Sequence, residues 1–103
     1  MSDTPTPTPA RRVALVANTS FYVGPPLARR LAAAGHDLVI GDPEDGLVEE
    51  LEGEGADVEV VSGVWDLADP TASQRLVNAA LERFGRLDAA VMFSGRVVTG
   101  RFL

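Results

Sequence analysis

The residues that could bind a ligand lie in one short turn. The turn runs over 18–24, follows an apolar segment at 12–17 and leads into an alanine-rich helix that Gly35 ends. Thr19 and Ser20 in this turn can donate hydroxyl hydrogen bonds to a phosphate at the helix N-terminus, where free N–H groups and the helix dipole attract anions. The chemistry expected of this turn is therefore phosphate binding.

A single carboxylate follows the next apolar segment, 37–41. Asp42 lies eighteen residues after Gly24, at the end of the second predicted strand. A carboxylate here can accept hydrogen bonds from both ribose hydroxyls of NAD and would repel the 2′-phosphate of NADP. The order strand, turn, helix, strand, acid is typical of a βαβ unit that binds a dinucleotide. An aspartate that caps the turn before Pro43 is the alternative interpretation.

Four apolar segments and three helical patterns must position these residues. Strands are predicted at 12–17, 37–41, 57–62 and 88–93, and helices at 24–34, 44–54 and 70–84. Strands that alternate with helices predict a parallel sheet with right-handed crossovers and helices on both faces. We expect the strand order 3-2-1-4. Burial is predicted for Val13, Leu15, Leu31, Val39, Val58, Val60 and Val91.

The composition indicates one small globular domain. The chain has 103 residues, of which 46% are hydrophobic, and no apolar run approaches the roughly 20 residues needed to cross a bilayer. Residues 1–10 alternate Thr with Pro and are predicted to be a disordered tail before a domain at 11–103. The absence of cysteine excludes disulfides and zinc–thiolate sites, and it favours a cytoplasmic location.

The charges exclude several kinds of partner and mechanism. The net charge is −6, with the acids concentrated in 42–59, which argues against nucleic acid and anionic membranes as partners. All nine basic residues are arginine. A Schiff base or a phosphate-loop lysine is therefore ruled out within this chain.

Residues 11–103 resemble the N-terminal half of the short-chain dehydrogenase/reductase family. The resemblance rests on the helix 27–36, on Asp42, on the turn 65–67 after strand three, and on 84–88 leading into strand four. Enzymes of this family transfer a hydride between NAD(H) or NADP(H) and an alcohol or carbonyl. The resemblance implies an α/β fold, a Rossmann-like half of a doubly wound parallel sheet. It also implies a nicotinamide dinucleotide cofactor, with NAD favoured over NADP.

The first turn departs from the family pattern Thr-Gly-x-x-x-Gly-x-Gly. Asn18 and Tyr22 replace its first two glycines, and Gly24 keeps the third, where the helix packs closely on the strand. Asparagine accepts a positive φ better than most residues, whereas the Tyr22 phenol would block the pyrophosphate or swing aside. A plain turn with aromatic packing is the alternative.

Two further pairs of residues are similar to cofactor contacts of the family. Asp66 and Leu67 resemble the pair that flanks the adenine. Ser94 and Gly95 match the end of the family's Asn-Asn-Ala-Gly motif, in which Phe93 here replaces an amide. The resemblance therefore implies this cofactor-binding set: Asn18, Thr19, Ser20, Tyr22, Val23, Gly24, Asp42, Asp66, Leu67, Ser94 and Gly95.

The family's catalytic serine, tyrosine and lysine lie beyond the matched region. This chain has no lysine, and its only tyrosine is in the first turn, so we expect no hydride transfer by the chain alone. Two hypotheses remain. The chain is the NAD(P)-binding portion of a short-chain oxidoreductase, or it is a non-catalytic Rossmann module that binds a nucleotide weakly or acts by association. The apolar segment 89–93 predicts an open sheet edge that self-associates or pairs with a C-terminal half.

Overall fold

Four short strands and three helices alternate along the chain. The computed structural model describes residues 11–20, 22–64, 66 and 69–92; the predicted tail at 1–10 and the predicted end of strand four at Phe93 lie outside them. The elements are β1 (Val13–Val16), α1 (Gly24–Ala33), β2 (Asp37–Gly41), α2 (Leu47–Gly53), β3 (Val58–Val61), α3 (Pro70–Phe84) and β4 (Ala89–Val91).

The strands form one parallel sheet in the order β3-β2-β1-β4. Leu15 on β1 pairs with Val39 on β2 and with Ala90 on β4. The side chains of alternate strand residues pack against α3 on one face and against α1 and α2 on the other. The predicted order, the parallel pairing and the two-sided helix cover are confirmed. This is the Rossmann-like α/β half sheet that the sequence predicted.

The core is centred on β1 and β2, which are buried on both faces. Every residue of these two strands is less than one-tenth exposed, which explains their almost uninterrupted apolar sequences. The predicted burial of Val13, Leu15 and Val39 is confirmed. Leu31, Val58 and Val91 are half-buried. The predicted burial of Val60 is wrong: it is 39% exposed, because β3 is an outer strand with incomplete helix cover.

The helix boundaries follow local signals. Asp69 caps α3 by accepting hydrogen bonds from the Thr71 amide at 2.9 Å and its hydroxyl at 2.8 Å, as the Asp-Pro sequence predicted. The bonds from Thr71 hold the pKa of the Asp69 carboxyl below its ordinary value. Gly85 ends α3 with φ 75°. Helix α2 is shorter than predicted and begins at Leu47, because Gly46 adopts φ 83° immediately before it.

Strand β4 lacks cover in the part of the chain that the structure describes. Ala89 and Ala90 are exposed and Val91 is half-buried, although they alternate between the two faces of the sheet. Only β1 pairs with β4 among the described strands. The opposite backbone edge of β4 is thus open there. No helix among the described residues has the length and apolarity needed to cross a membrane.

Candidate functional site

The turn after β1 and the end of β2 form one connected structure. Thr19 donates its backbone N–H and its hydroxyl hydrogen to the carbonyl oxygen of Gly41, each at 2.8 Å. The Thr19 carbonyl in turn accepts the N–H of Glu44 at 3.0 Å. These bonds place the turn beside Asp42 at the carboxyl ends of β1 and β2. Ligands of open parallel sheets bind outside these strand ends.

The hydroxyl groups of the turn are already used within the protein. Thr19 is fully buried, and its hydroxyl hydrogen goes to Gly41. The Ser20 hydroxyl donates to Oδ1 of Asn18 at 2.6 Å, and the Ser20 amide donates to the same oxygen at 3.0 Å. The expectation that both hydroxyls donate to a phosphate is therefore not met in this conformation. Asn18 also lacks the anticipated positive φ; its buried side chain shapes the turn instead.

Tyr22 carries the left-handed conformation of the turn. Its φ is 62°, in a region that glycine adopts freely and that tyrosine adopts at a cost. The side chain is 74% exposed and extends into solvent, and Val23 beside it is 42% exposed. The alternative of aromatic packing within the turn is therefore not met at Tyr22. Tyr22 thus has a backbone conformation that favours glycine, although it is not glycine.

Gly24 lies where α1 approaches the turn most closely. A methyl group on it would overlap the carbonyl oxygen of Asn18 and would lie 2.9 Å from Cα of Thr19. The predicted need for a residue without a side chain is confirmed. Gly41 has the same role on β2, where a methyl group would overlap the carbonyl oxygen of Ala17. Sequence reasoning missed Gly41, although a glycine within a strand signals close backbone approach.

The start of α1 offers few hydrogen-bond donors to an anion. Pro25 and Pro26 follow Gly24 in the first turn of the helix, and proline has no N–H. The Leu27 amide donates to the Val23 carbonyl at 3.0 Å. The N–H of Gly24 is therefore the one first-turn donor that α1 can direct at a ligand. Sequence reasoning overlooked this proline pair, whose effect could be derived from the sequence alone.

Asp42 lies at the end of β2, as predicted, but its carboxylate already has partners. Its Oδ1 accepts the Gly63 N–H at 2.7 Å and its Oδ2 accepts the Val64 N–H at 2.9 Å. Its backbone is left-handed, with φ 45°. A carboxylate has about four lone-pair sites, so each oxygen keeps one for a further donor. The expected ribose contact is thus compatible with these bonds, although the carboxylate also serves the loop after β3.

The remaining predicted site residues are only partly described. Asp66 is exposed, two residues beyond Val64. Leu67, Ser94 and Gly95 lie outside the described residues, so their predicted contacts with the cofactor stay predictions.

Known proteins with the same architecture are similar to this chain in sequence. No protein-family model matches it. It is 42% identical, over 86% of its length, to a protein named as a ketoacyl reductase of the granaticin polyketide synthase of Streptomyces violaceoruber. It is 41% identical over 82% of its length to 1-deoxy-11-beta-hydroxypentalenate dehydrogenase of Streptomyces avermitilis. The crystal structure of 3-oxoacyl-[acyl-carrier protein] reductase from Brucella melitensis in complex with NAD superposes with a TM-score of 0.71, at 34% identity over 92% of this chain.

The chain belongs to the short-chain dehydrogenase/reductase family. It spans about a third of the length of the curated relatives, 34% and 32% of the two named above, and 38% of the Brucella reductase. Its matched part corresponds to the N-terminal portion of these short-chain reductases, which contains their first strands and helices. The turn at 18–24 differs from the family pattern, because Asn18 and Tyr22 replace two of its glycines while Gly24 is kept.

Proposed function

We propose that the chain is the cofactor-binding portion of a short-chain oxidoreductase. The activity proposed for the whole protein is hydride transfer between a nicotinamide cofactor and an alcohol or carbonyl. The observation that supports this proposal most is that hydrogen bonds connect the first turn to the end of β2. Gly24 permits close packing of the turn, and Asp42 lies at the strand end. The similarity to a reductase solved with NAD supports it.

The site residues lie at suitable positions for a nicotinamide dinucleotide, but they offer few hydrogen-bond donors to its pyrophosphate. Gly24 permits close packing of α1, Tyr22 has a left-handed φ that glycine adopts freely, and Asp42 at the end of β2 would contact the ribose. The donors for a pyrophosphate are few, because Pro25 and Pro26 remove two amides from the helix start. We therefore expect weak binding. The residues proposed to hold the cofactor are Ser20, Tyr22, Val23, Gly24, Asp42, Asp66, Leu67, Ser94 and Gly95. Asn18 and Thr19, which are buried, would shape the turn that holds it.

NAD is the favoured cofactor in this proposal. The negative charge of Asp42 would repel a 2′-phosphate, and the residue that follows it is Pro43 and not an arginine that could pair with this phosphate. When bound, a nicotinamide ring accepts or supplies the hydride. The chain's own residues would only bind and orient the dinucleotide, since its described turn contains no acid–base pair of the family type. A cytoplasmic location stays a prediction from the cysteine-free composition.

The test is a titration of the isotope-labelled chain with NAD and with NADP, in which the amide chemical shifts are measured by NMR. We expect NAD to shift the amides of Asn18–Gly24 and Asp42 at nucleotide concentrations on the order of 1 mM, which corresponds to about −4 kcal/mol of binding free energy. NADP should bind more weakly. Asp42→Ala should remove the preference for NAD, whereas the control variant Asp45→Ala should keep it, because Asp45 is an exposed carboxylate three residues beyond Asp42. Shifts confined to other surfaces, or none, would contradict the proposal.

A second candidate is a non-catalytic Rossmann module. The observation that favours it is the internal use of the turn's donors: the hydroxyls of Thr19 and Ser20 bond within the protein, and two prolines open α1. Such a module would keep the fold and lose the anion site. An absence of NAD binding to the chain, together with a cooperative unfolding transition, would favour this candidate over the first.

A further inference from the structure

The loop that follows β3 is held by a carboxylate on its amide groups. This loop, Ser62–Val64, presents the N–H groups of Gly63 and Val64 to the two oxygens of Asp42, at 2.7 and 2.9 Å. Bonds from amides to an ionised carboxylate are among the stronger hydrogen bonds in proteins. Asp42 thus connects the carboxyl ends of two neighbouring strands through residues that lie 21 and 22 positions further along the chain.

A guanidinium group holds the same loop by its carbonyl groups. Arg75, on α3, donates from Nη2 to the Ser62 carbonyl at 2.7 Å and from Nη1 to the Gly63 carbonyl at 3.4 Å. The carboxylate accordingly takes the loop's donors, and the guanidinium takes its acceptors. The planar fork of arginine suits two neighbouring oxygens in a way that a lysine ammonium does not.

The backbone conformation of this region depends on those bonds. Asp42 has φ 45° and Gly63 has φ 74°, both in the left-handed region. Aspartate is one of the non-glycine residues that tolerate this region, but at a cost that the surrounding contacts must offset. Val64 is fully buried, and its Cγ2 would lie 2.8 Å from a methyl group on Gly41. The loop is therefore anchored by its last side chain as well.

We propose that Asp42 and Arg75 together hold Ser62–Val64 as a fixed wall of the nucleotide site, with Arg75 as a positioning residue. This inference rests on the proposed function, since it concerns the same site. The loop lies at the carboxyl end of β3, beside the strand end that carries Asp42, and such strand ends line the ligand crevice of a parallel sheet. Arg75 then affects nucleotide affinity from α3, through the loop backbone and not as a direct ligand.

The orientation of the Asp42 carboxylate follows from the same arrangement. Both oxygens are fixed by the loop before any nucleotide arrives, and each has one lone pair left for a ribose hydroxyl. A carboxylate held in this way loses little rotamer freedom on binding. An asparagine at position 42 would keep one acceptor only, so one loop amide would face an NH₂ group. The wall and the ribose contact should therefore fail together.

The first experiment measures amide hydrogen exchange without any nucleotide, in Asp42→Asn and in Arg75→Gln. We expect the Gly63 and Val64 amides to exchange about tenfold faster or more in Asp42→Asn, since each loses part of a hydrogen bond to a charged group. Arg75→Gln should accelerate the same amides to a smaller extent. The amides of Leu15 and Val39 in the core report that the fold is intact. Asp45→Asn and Arg30→Gln, at exposed residues with the same charge changes, should leave the loop unchanged.

The second experiment measures NAD affinity of the same variants by calorimetry or shift titration. We expect Arg75→Gln to weaken NAD binding about threefold to tenfold while Arg30→Gln does not, which corresponds to about 0.7–1.4 kcal/mol. Unchanged exchange at Gly63 and Val64 in Asp42→Asn would show that Asp42 does not hold the loop. Faster exchange with unaltered NAD affinity in Arg75→Gln would overturn its role as a wall of the site. If the parent chain binds no NAD, the proposed function and the role of the loop as a wall both fail. The amide exchange rates still show whether Asp42 and Arg75 hold the loop.

Discussion

Thr19 and Gly41 are joined by two hydrogen bonds to a single oxygen atom. The amide and the hydroxyl of Thr19 both reach the Gly41 carbonyl at 2.8 Å, and Thr19 is fully buried. This pair ties the turn after β1 to the end of β2, and it explains why the two candidate binding features lie side by side. It also removes the Thr19 hydroxyl from the phosphate chemistry that the sequence suggested.

Thr19→Val should destabilise the chain by about 0.5–1.5 kcal/mol, because it deletes one buried hydrogen bond and keeps the side-chain shape. The Gly41 carbonyl keeps its bond from the backbone amide at position 19, so no acceptor is left unpaired. Urea unfolding measures the change. Ser20→Ala is the control: Ser20 is exposed, and its loss should cost less. Equal losses for both variants would mean that the Thr19–Gly41 bond is not special to the turn.

Gly24→Ala should destabilise the chain by about 1–3 kcal/mol or more, as overpacking against backbone atoms does. The new methyl group would meet the Asn18 carbonyl and the Thr19 Cα, neither of which can move without shifting the turn. Gly53→Ala is the matched control, since a methyl group there meets nothing within 4 Å in α2. That control should be neutral or stabilise the helix by about 0.5–1 kcal/mol. A tolerated Gly24→Ala would show that α1 is not packed as closely as described.

Tyr22→Gly should stabilise the chain by up to about 1 kcal/mol, because glycine adopts a φ of 62° without the left-handed penalty that tyrosine bears. The same change should also raise NAD affinity, by about 1–3 kcal/mol if the phenol occupies pyrophosphate space. Tyr22→Ala separates the two effects: it removes the phenol but keeps the left-handed cost. Thermal unfolding and calorimetry provide the readouts. If neither variant binds NAD better, the phenol does not obstruct the site.

The stability of the chain should fall in acid partly through Asp88. A hydrogen bond from Arg86, and then one from the Val13 amide at 2.8 Å, hold the pKa of this carboxyl below its ordinary value. A lowered carboxyl pKa in the folded state means that its stabilising effect is complete above about pH 4, the ordinary aspartate value, and is lost as the pH falls below it. Asp88→Asn should flatten the unfolding free energy against pH in this range. An equally steep slope in Asp88→Asn would contradict this expectation.

The open edge of β4 should make the purified chain self-associate at tens of micromolar. Ala89 and Ala90 are exposed on a strand that has one described neighbour, and neither residue carries a protecting charge. Ala90→Lys should favour the monomer in sedimentation velocity, because a lysine charge opposes edge-to-edge pairing. Ala33→Lys makes the same charge change at an exposed alanine on α1, away from the edge, and should leave the self-association unchanged. A cooperatively melting monomeric parent would contradict this expectation and would favour the binding-module candidate.

The sequence by itself determined the fold, and with it the end of the sheet at which the candidate site lies. Apolar segments at β1 and β2, the Asp69–Pro70 start of α3 and the closing Gly85 are local signals, and each was confirmed at its position. The parallel order followed from the alternation of strands and helices, because short right-handed crossovers leave few other arrangements. The position of the first turn beside Asp42 also followed, since the turn and Asp42 follow the carboxyl ends of two neighbouring parallel strands.

Only the tertiary structure decided how the side chains of the site are used. The partners of Asp42 are the amides of Gly63 and Val64, and the partner of the Thr19 hydroxyl is the Gly41 carbonyl, all more than twenty residues away in sequence. Periodicity and turn composition contain no information about such pairs, because they report on local backbone geometry. The fold brings particular strand ends together, and this decides which donor bonds to which acceptor. The sequence could therefore name the carboxylate and the hydroxyl, and the structure alone could show that both are already engaged.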